Sequence, residues 1–427
     1  MPHFEPFSGL RYTPSMTLND VICPPYDIIS PDQREIYANR SSANAIHVEL
    51  PSEDSNYSNR YEHAASVWRE WIDSGTVLHD PVPSLYAYRM TPSNGRSTAG
   101  IVGALRLEEP GDGILPHEET ISKDKTDRLE LLRHCRANIS PIWGLSLASG
   151  LASLYGDLLS AVPTAVAVDS DGVVHELWVI SDAAVVDRIC EVMGSSPIVI
   201  ADGHHRFETA LAYAGEAADP GSLGVGEGSG LVMAFIVELS DEQMTVMPIH
   251  RLVKLSPSGS IPQADIIDAF KTFFEVLPLE SGDSGAAENE PDDNGSKDNK
   301  PGDSGAAISP SRPSSEGRME GRMVLVLHGQ IFELIRRDRD NEMVVDSSIV
   351  RQALSALDTP DRNVSYTSEP DAAVESVSTG KADFAILMRP VTVSQIAAYA
   401  REKKRMPPKS TYFWPKPRTG MVFRSLY

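Results

Sequence analysis

Residues 197–213 read Pro197-Ile198-Val199-Ile200-Ala201-Asp202-Gly203-His204-His205-Arg206-Phe207-Glu208-Thr209-Ala210-Leu211-Ala212-Tyr213. The β-branched run Ile198-Val199-Ile200 reads as a short buried strand, while Phe207, Ala210, Leu211 and Ala214 recur at helical spacing. The polar block Asp202 to Arg206 therefore falls on a strand-to-helix turn. The first turn of a helix offers unpaired N–H groups and the positive end of a dipole, so an anion can dock there. Gly203, Arg206 and the imidazoles of His204 and His205 would hold it. Asp202 beside that place can accept a proton from an attacking hydroxyl, the general-base role in phosphoryl transfer. Asp-Gly is also a common turn, and a capping Asp beside surface histidines has the same sequence. Against that reading, such crowding of cationic heads is disfavoured unless an anion or a carboxylate relieves it.

The chain has 427 residues, enough for two or three domains and a large core. Its 38 Lys and Arg stand against 60 Asp and Glu, a formal charge of −22, which repels nucleic acid and anionic membrane over long range. Sequence-independent DNA binding is therefore disfavoured. No apolar run approaches a membrane span and the first residues lack the zones of a signal peptide, so a cytoplasmic protein is expected. Cys23, Cys135 and Cys190 are scattered without a Cys-x-x-Cys pair, which supports neither a disulfide framework nor a thiolate zinc site. His117, His204, His205 and His250 show no metal-binding spacing either, and no protein-held transition metal is expected.

Along the chain the pattern is mixed. Helices are expected at 62–72, 127–136, 182–192, 347–357 and 393–404, and strands at 85–90, 97–107, 176–180, 231–238, 323–327, 330–335 and 383–388. Because strands and helices do not alternate strictly, the expected class is α+β, mixed sheets with packed helices. Three parts are expected: 1–110, 111–255 carrying the Asp202 turn, and 256–427. Residues 281–320 are Gly, Ser, Asp, Asn and Pro with almost nothing apolar, and read as a disordered insertion in the last part.

Three further blocks carry chemistry. In 113–143, His117 and Glu118 follow Pro116, and Lys123, Lys125, Arg128 and Arg136 lie on or before a helix starting near Asp127, with Asn138 and Ser140 beyond it. On that helix the basic residues can share a solvated edge suited to phosphate oxygens, or they can be a charged surface balanced by Asp124, Asp127 and Glu130. In 404–416, a Pro-stiffened basic stretch places Arg405, Lys409 and Ser410 before Tyr412-Phe413-Trp414, a candidate substrate loop or a tail tied down by its aromatics. Near the start, Pro24-Pro25-Tyr26-Asp27 turns into an N-cap-like Ser30; Tyr26 and Asp27 can face a cleft or be rigid loop architecture.

The blocks Pro6-Phe7-x-Gly9-Leu10-Arg11-Tyr12, Pro24-Pro25-Tyr26-Asp27, Pro116-His117-Glu118, Arg136-Ala-Asn138-x-Ser140-Pro141, Asp202-Gly-His-His-Arg206 and Arg405-Met-Pro-Pro-Lys409-Ser-Thr-Tyr together resemble the bacterial and archaeal domain-of-unknown-function family 1015. More distantly, the Asp202–Arg206 turn is similar to that of the ParB/sulfiredoxin superfamily, where a glycine-containing strand-to-helix loop binds nucleotide phosphates. That likeness implies a ParB/sulfiredoxin-like core. One member class is a free-serine kinase, whose Asp-Gly-His turn would cast Asp202 as the residue acting on the substrate hydroxyl. Sulfiredoxin chemistry needs a Cys in this turn, and Ala201 and Asp202 stand there instead.

Two functions fit. The first is a phosphotransferase on a small hydroxylated metabolite, free L-serine foremost, using ATP, ADP or pyrophosphate with Mg²⁺. In it Lys123, Lys125, Arg128 and Arg136 would neutralise developing charge and Lys409 with Ser410 would close over the substrate. The second is a nucleotide-binding regulatory protein without turnover. The donor, the acceptor, the direction and the oligomeric state are not encoded in any one residue.

Overall fold

The coordinates, a computed structural model, describe residues 1–54, 56–111, 113–119, 125–217, 227–255, 261–279, 321–338, 343–357 and 362–427. The expected disordered insertion at 281–320 lies outside the described residues, as does Lys123. The architecture is mixed α and β, with several sheets and packed helices. Most expected elements stand within a few residues of their sequence signals. Leu231–Glu238 is a strand over its full expected length, and Ala183–Gly194 is a helix whose Asp182 N-cap accepts from Val185 N. Ser30 caps the helix Pro31–Arg40 through a reciprocal box with Gln33.

The chain forms two units, one from Met1–Met247 with Val391–Tyr427 and the other from Pro248–Pro390. The last stretch thus belongs to the same unit as the first part of the chain, a departure from the three consecutive parts read from composition. The cause is pairing at long range. Tyr412–Trp414 lies antiparallel to Thr245–Met247, Phe423 bridges to Leu10, Thr419 to Cys23, and Arg424–Ser425 pairs with Ala137–Asn138.

The first unit is built on a nine-stranded sheet. Its order is Ile114–Pro116, Ile198–Asp202, Ile142–Ser146, Leu231–Glu238, Thr98–Arg106, Leu85–Thr91, Val174–Ile180 and Ala165–Val168, with Phe4–Glu5 added on Thr98–Arg106. Ile198–Asp202 runs parallel to Ile114–Pro116, and Leu231–Glu238 parallel to Ile142–Ser146; the remaining pairs are antiparallel. The alternate residues Ile198 and Ile200 enter the core with Phe207 and Ala210 of the helix His204–Ala217, and with Ile189 and Met193. A second cluster gathers Trp68 and Trp71 of the helix Arg60–Asp73 around Phe423.

The second unit is a six-stranded antiparallel sheet in the order Phe274–Pro278, Gln330–Arg336, Val324–Leu327, Phe384–Leu387, His250–Leu255 and Arg362–Thr367. Alternation along Val324–Leu327 divides its side chains between two cores. Leu325 and Leu327 meet Phe270, Val350 and Ala353, whereas Val324 and Val326 meet Ala373 and Val377.

Backbone approach within the large sheet leaves a testable mark. A Cβ on Gly100 would stand 2.4 Å from the carbonyl oxygen of Ile236 on the facing strand, where backbone cannot yield cheaply. Gly215, inside the His204–Ala217 helix, has nothing within 4 Å of such an atom. Gly100→Ala is expected to lose about 2 kcal/mol or more and Gly215→Ala to gain roughly 0.5–1 kcal/mol in urea denaturation. Equal effects at the two positions would contradict this packing.

Candidate active site

The turn after Ile198–Asp202 is shaped by a register shift. Ile200 pairs with Gly144 but Asp202 pairs with Trp143, so one residue bulges between them and Asp202 leaves the alternation that sends Ile198 and Ile200 into the core. Gly203 then takes φ +82°, and a Cβ there would lie 3.0–3.1 Å from the Arg206 guanidinium. The glycine lets the arginine fold back over its own turn.

Arg206 Nη2 donates to Asp202 Oδ2 at 2.8 Å, and the Lys416 ammonium, itself buried, donates to Asp202 Oδ1. Burial pushes the Asp202 carboxyl toward its neutral form, but Lys416 and Arg206 outweigh it and hold it at about 2, below the ordinary 3.8. Arg206 also donates to Ser140 Oγ at 3.2 Å and to the Pro141 carbonyl. Asp27, on the exposed turn Tyr26–Ile28, adds negative potential at both Lys416 and Arg206. Lys416 lies 5.0 Å from the centre of the Tyr412 ring.

His204 follows at the start of the helix. Burial and the neighbouring His117 push its imidazole down to about 3, so it is neutral at physiological pH. Its Nε2 is shielded from solvent and makes no hydrogen bond among the described residues. His205 is a quarter exposed, with Nδ1 4.0 Å from Glu208 Oε2. Positive charge at the turn therefore comes from Lys416 and Arg206, with the helix N-terminus behind them.

His117, buried 5.1 Å ring to ring from His204, donates Nδ1–H to the Ile200 carbonyl at 2.5 Å and bonds Thr411 Oγ1 through Nε2 at 2.7 Å. Glu118 faces the loop Lys409–Thr411. Its carboxylate accepts from the successive backbone N–H groups of Lys409, Ser410 and Thr411 at 2.9, 3.1 and 2.9 Å, and from the Thr411 hydroxyl at 2.7 Å. A left-handed Lys409, φ 58°, aims those N–H groups together. Burial pushes this carboxyl up, but His117 beside it, the Thr411 hydroxyl and His204 outweigh that and hold it at about 2. Ser410 Oγ donates to the Pro407 carbonyl at 2.7 Å. The loop expected to close over substrate is fastened by Glu118.

Of the remaining expected site residues, Arg128 and Asn138 line a cavity together with Arg206. Arg128 is buried rather than on a solvated edge: it donates to Asp127 and to the Glu49 carbonyl at 2.7 Å and lies over the Tyr26 ring at 4.2 Å. Asn138 accepts from Met233 N and Arg424, a role in joining strands. Arg136 takes φ 45° where the helix Lys125–Cys135 ends and lies over the Tyr427 ring at 5.5 Å. Arg405 is exposed. Lys125 begins its helix, and its side chain lies outside the described residues. Lys416 was the residue sequence reading missed; its signal was only a lysine after Trp414-Pro415, overshadowed by Lys409.

Asp202 gives this clamp a pH signature. Its folded-state pKa is depressed, so its contribution is fully present above the ordinary 3.8 and is lost as pH falls toward 2. Lys416→Met is expected to cost about 3 kcal/mol at neutral pH by leaving a buried carboxylate short of a partner, with the difference from the parent shrinking in that acid window. Urea titrations across pH test it; a pH-independent loss would show that Lys416 does not act through Asp202.

Among solved structures, the chain is similar to a conserved hypothetical protein from Pyrococcus furiosus, 13% identical with a TM-score of 0.35, over 75% of this chain and 98% of that one. It is also similar to a free serine kinase in complex with AMP, 12% identical with a TM-score of 0.37, over 75% and 94%. A third is SbnI with a C-terminal truncation from Staphylococcus aureus, 11% identical with a TM-score of 0.36, over 73% and 83%. The comparison with curated proteins gives no match. Among the described residues no helix is long and apolar enough to cross a membrane. The model of the family described as "Protein of unknown function (DUF1015)" matches residues 4–359, and the chain belongs to that family.

Proposed function

We propose that the Asp202 turn transfers a phosphoryl group to the hydroxyl of a small metabolite, with free L-serine the first candidate and ATP, ADP or pyrophosphate the donor. The observation that carries this reading is one ionised carboxylate gripped by Lys416 and Arg206 at the N-terminus of the helix His204–Ala217. Those two cations and the first-turn N–H groups suit donor phosphates. An arriving polyanion competes with Asp202 for Lys416 and Arg206. As they turn to the donor, burial acts on the carboxyl with less opposition and its affinity for a proton rises. Asp202 then takes the proton of the attacking hydroxyl as its oxygen bonds to phosphorus and the bond from phosphorus to the donor oxygen breaks. His204, neutral and with a shielded Nε2 that makes no hydrogen bond among the described residues, is suited to bond a phosphate or the substrate hydroxyl.

Among the described residues no group of three His, Cys, Asp or Glu side chains is arranged to hold a metal. Mg²⁺ carried on donor phosphates needs only one or two protein carboxylates, and Asp202 and Asp27 are those whose fields meet at Lys416. When bound it would neutralise phosphate charge. The ParB/sulfiredoxin-like character of the core rests on the sequence of the turn and belongs to this proposal.

The test is O-phosphoserine formation from L-serine with each donor in turn. Asp202→Asn is expected to lower turnover by roughly 10²-fold or more at a temperature where the variant is folded, and to lower the melting temperature as well, because Lys416 and Arg206 lose their buried counter-charge. Full activity in that variant would remove Asp202 as the base. Donor binding with no phosphoryl transfer to serine, threonine or related hydroxy acids would favour a nucleotide-responsive regulator.

A further inference from the structure

The aromatic triplet Tyr412-Phe413-Trp414 is divided between the two sides of one strand. Side chains alternate along a strand, so Phe413 points one way and Tyr412 with Trp414 the other. Phe413 is 1% exposed, and its ring centre stands 5.7 Å from those of both His117 and Trp143. It is the residue that ties this stretch down. Tyr412 and Trp414 stay partly exposed. The antiparallel partner strand sets Met247 opposite Tyr412 and Thr245 opposite Trp414, and facing pairs share a side. Met247 is exposed and Thr245 partly so. The ribbon, all within the first unit, therefore carries a patch of Tyr412, Trp414, Met247 and Thr245 open to solvent. Of the five tryptophans, Trp68, Trp71, Trp143 and Trp178 are buried and Trp414 is not.

The patch is continuous with the cations of the turn. Lys416 Nζ lies 5.0 Å from the centre of the Tyr412 ring while its ammonium holds Asp202. Tyr412 thus borders both the clamp and the patch, and Trp414 is two residues along, about 7 Å at the rise of a strand. Rings left in water forgo the burial that Phe413 has, so a flat apolar partner is favoured there. A ligand that covers them and also meets Lys416 and Arg206 must present a planar face and, one sugar's breadth away, anionic oxygens. Pyrophosphate has only the oxygens, whereas a nucleoside diphosphate or triphosphate has both. We infer that the phosphate donor is a nucleotide whose base stacks on Trp414, beside Tyr412 and Met247, with its phosphates at Lys416 and Arg206. Stacking reads the face common to every base, so the patch separates nucleotides from pyrophosphate more than one base from another. The role of this nucleotide as donor rests on the proposed function; its stacking on Trp414 does not.

Calorimetry and tryptophan fluorescence on the full chain test this with ADP and pyrophosphate as probes. ADP, and not pyrophosphate, is expected to shield Trp414, the tryptophan that acrylamide reaches, from quenching. Trp414→Leu should weaken ADP roughly tenfold with pyrophosphate affinity unchanged, and Trp414→Phe, which keeps a ring, should stay within about threefold of the parent. ADP that binds without shielding Trp414, or with parental affinity in Trp414→Leu, overturns the inference, as does failure of ADP to bind at millimolar concentration. Equal loss of both probes in Trp414→Leu also overturns it and assigns the ring to holding the strand before Lys416. Shielding that follows protein concentration alone gives the patch to a second copy of the chain, again against the inference. Phosphoryl transfer to serine from pyrophosphate but not from ADP or ATP would leave the Asp202 reading standing and reject the nucleotide. ADP stacked on Trp414 with no transfer would do the reverse.

Discussion

A carboxylate taken out of water between two cations is the constraint from which the rest of this site follows. Moving Asp202 into the protein costs several kcal/mol unless its charge is matched, and the match comes from both directions along the chain. Arg206 is supplied locally, four residues on, and reaches back only because Gly203 has no side chain in its way. Lys416 is supplied from 214 positions away. The pair therefore ties the C-terminal stretch to the strand-to-helix turn.

Two buried networks hold that stretch in place. On one side of Lys416, Glu118 gathers the N–H groups of Lys409 to Thr411, and Met406 donates to the His117 carbonyl at 2.8 Å. On the other, Arg418 binds Asp169, and its N–H donates to the Tyr88 hydroxyl at 3.1 Å. Tyr88 must then donate to His175 Nδ1 at 2.7 Å, and His175 Nε2–H to Asp169 at 2.9 Å, which fixes a neutral tautomer; burial lowers the basicity of His175 accordingly. Anchors on both flanks reduce the freedom that Lys416 must lose to meet Asp202.

Local signals in the chain were enough to locate the turn and not enough to complete it. Ile198 to Ile200 followed by Asp202-Gly203 and a helical period announced a strand, a break and a helix start because each depends on neighbours in sequence. The same holds for the N-cap at Ser30. What sequence does not carry is which distant cation a buried acid recruits: Lys409 and Lys416 are equally basic on paper, and only pairing of Tyr412–Trp414 with Thr245–Met247 decides between them. Arg128 and Arg136 share a helical face by spacing, yet Arg136 sits where the helix breaks at positive φ, and Arg128 turns inward to Tyr26 and Glu49. Glu118, a candidate site residue by sequence, is the anion in a nest of backbone donors that only long-range pairing brings to it.

The account turns on whether an anion can draw the cations from Asp202. Carbon-13 NMR titration of the Asp202 carboxyl, with and without saturating pyrophosphate or ADP, reads this directly. In the free protein the carboxyl should titrate near 2, and with the polyanion bound its midpoint should move upward. A midpoint that stays near 2 while the polyanion is bound would contradict the account, because Lys416 and Arg206 would then serve only to hold the fold.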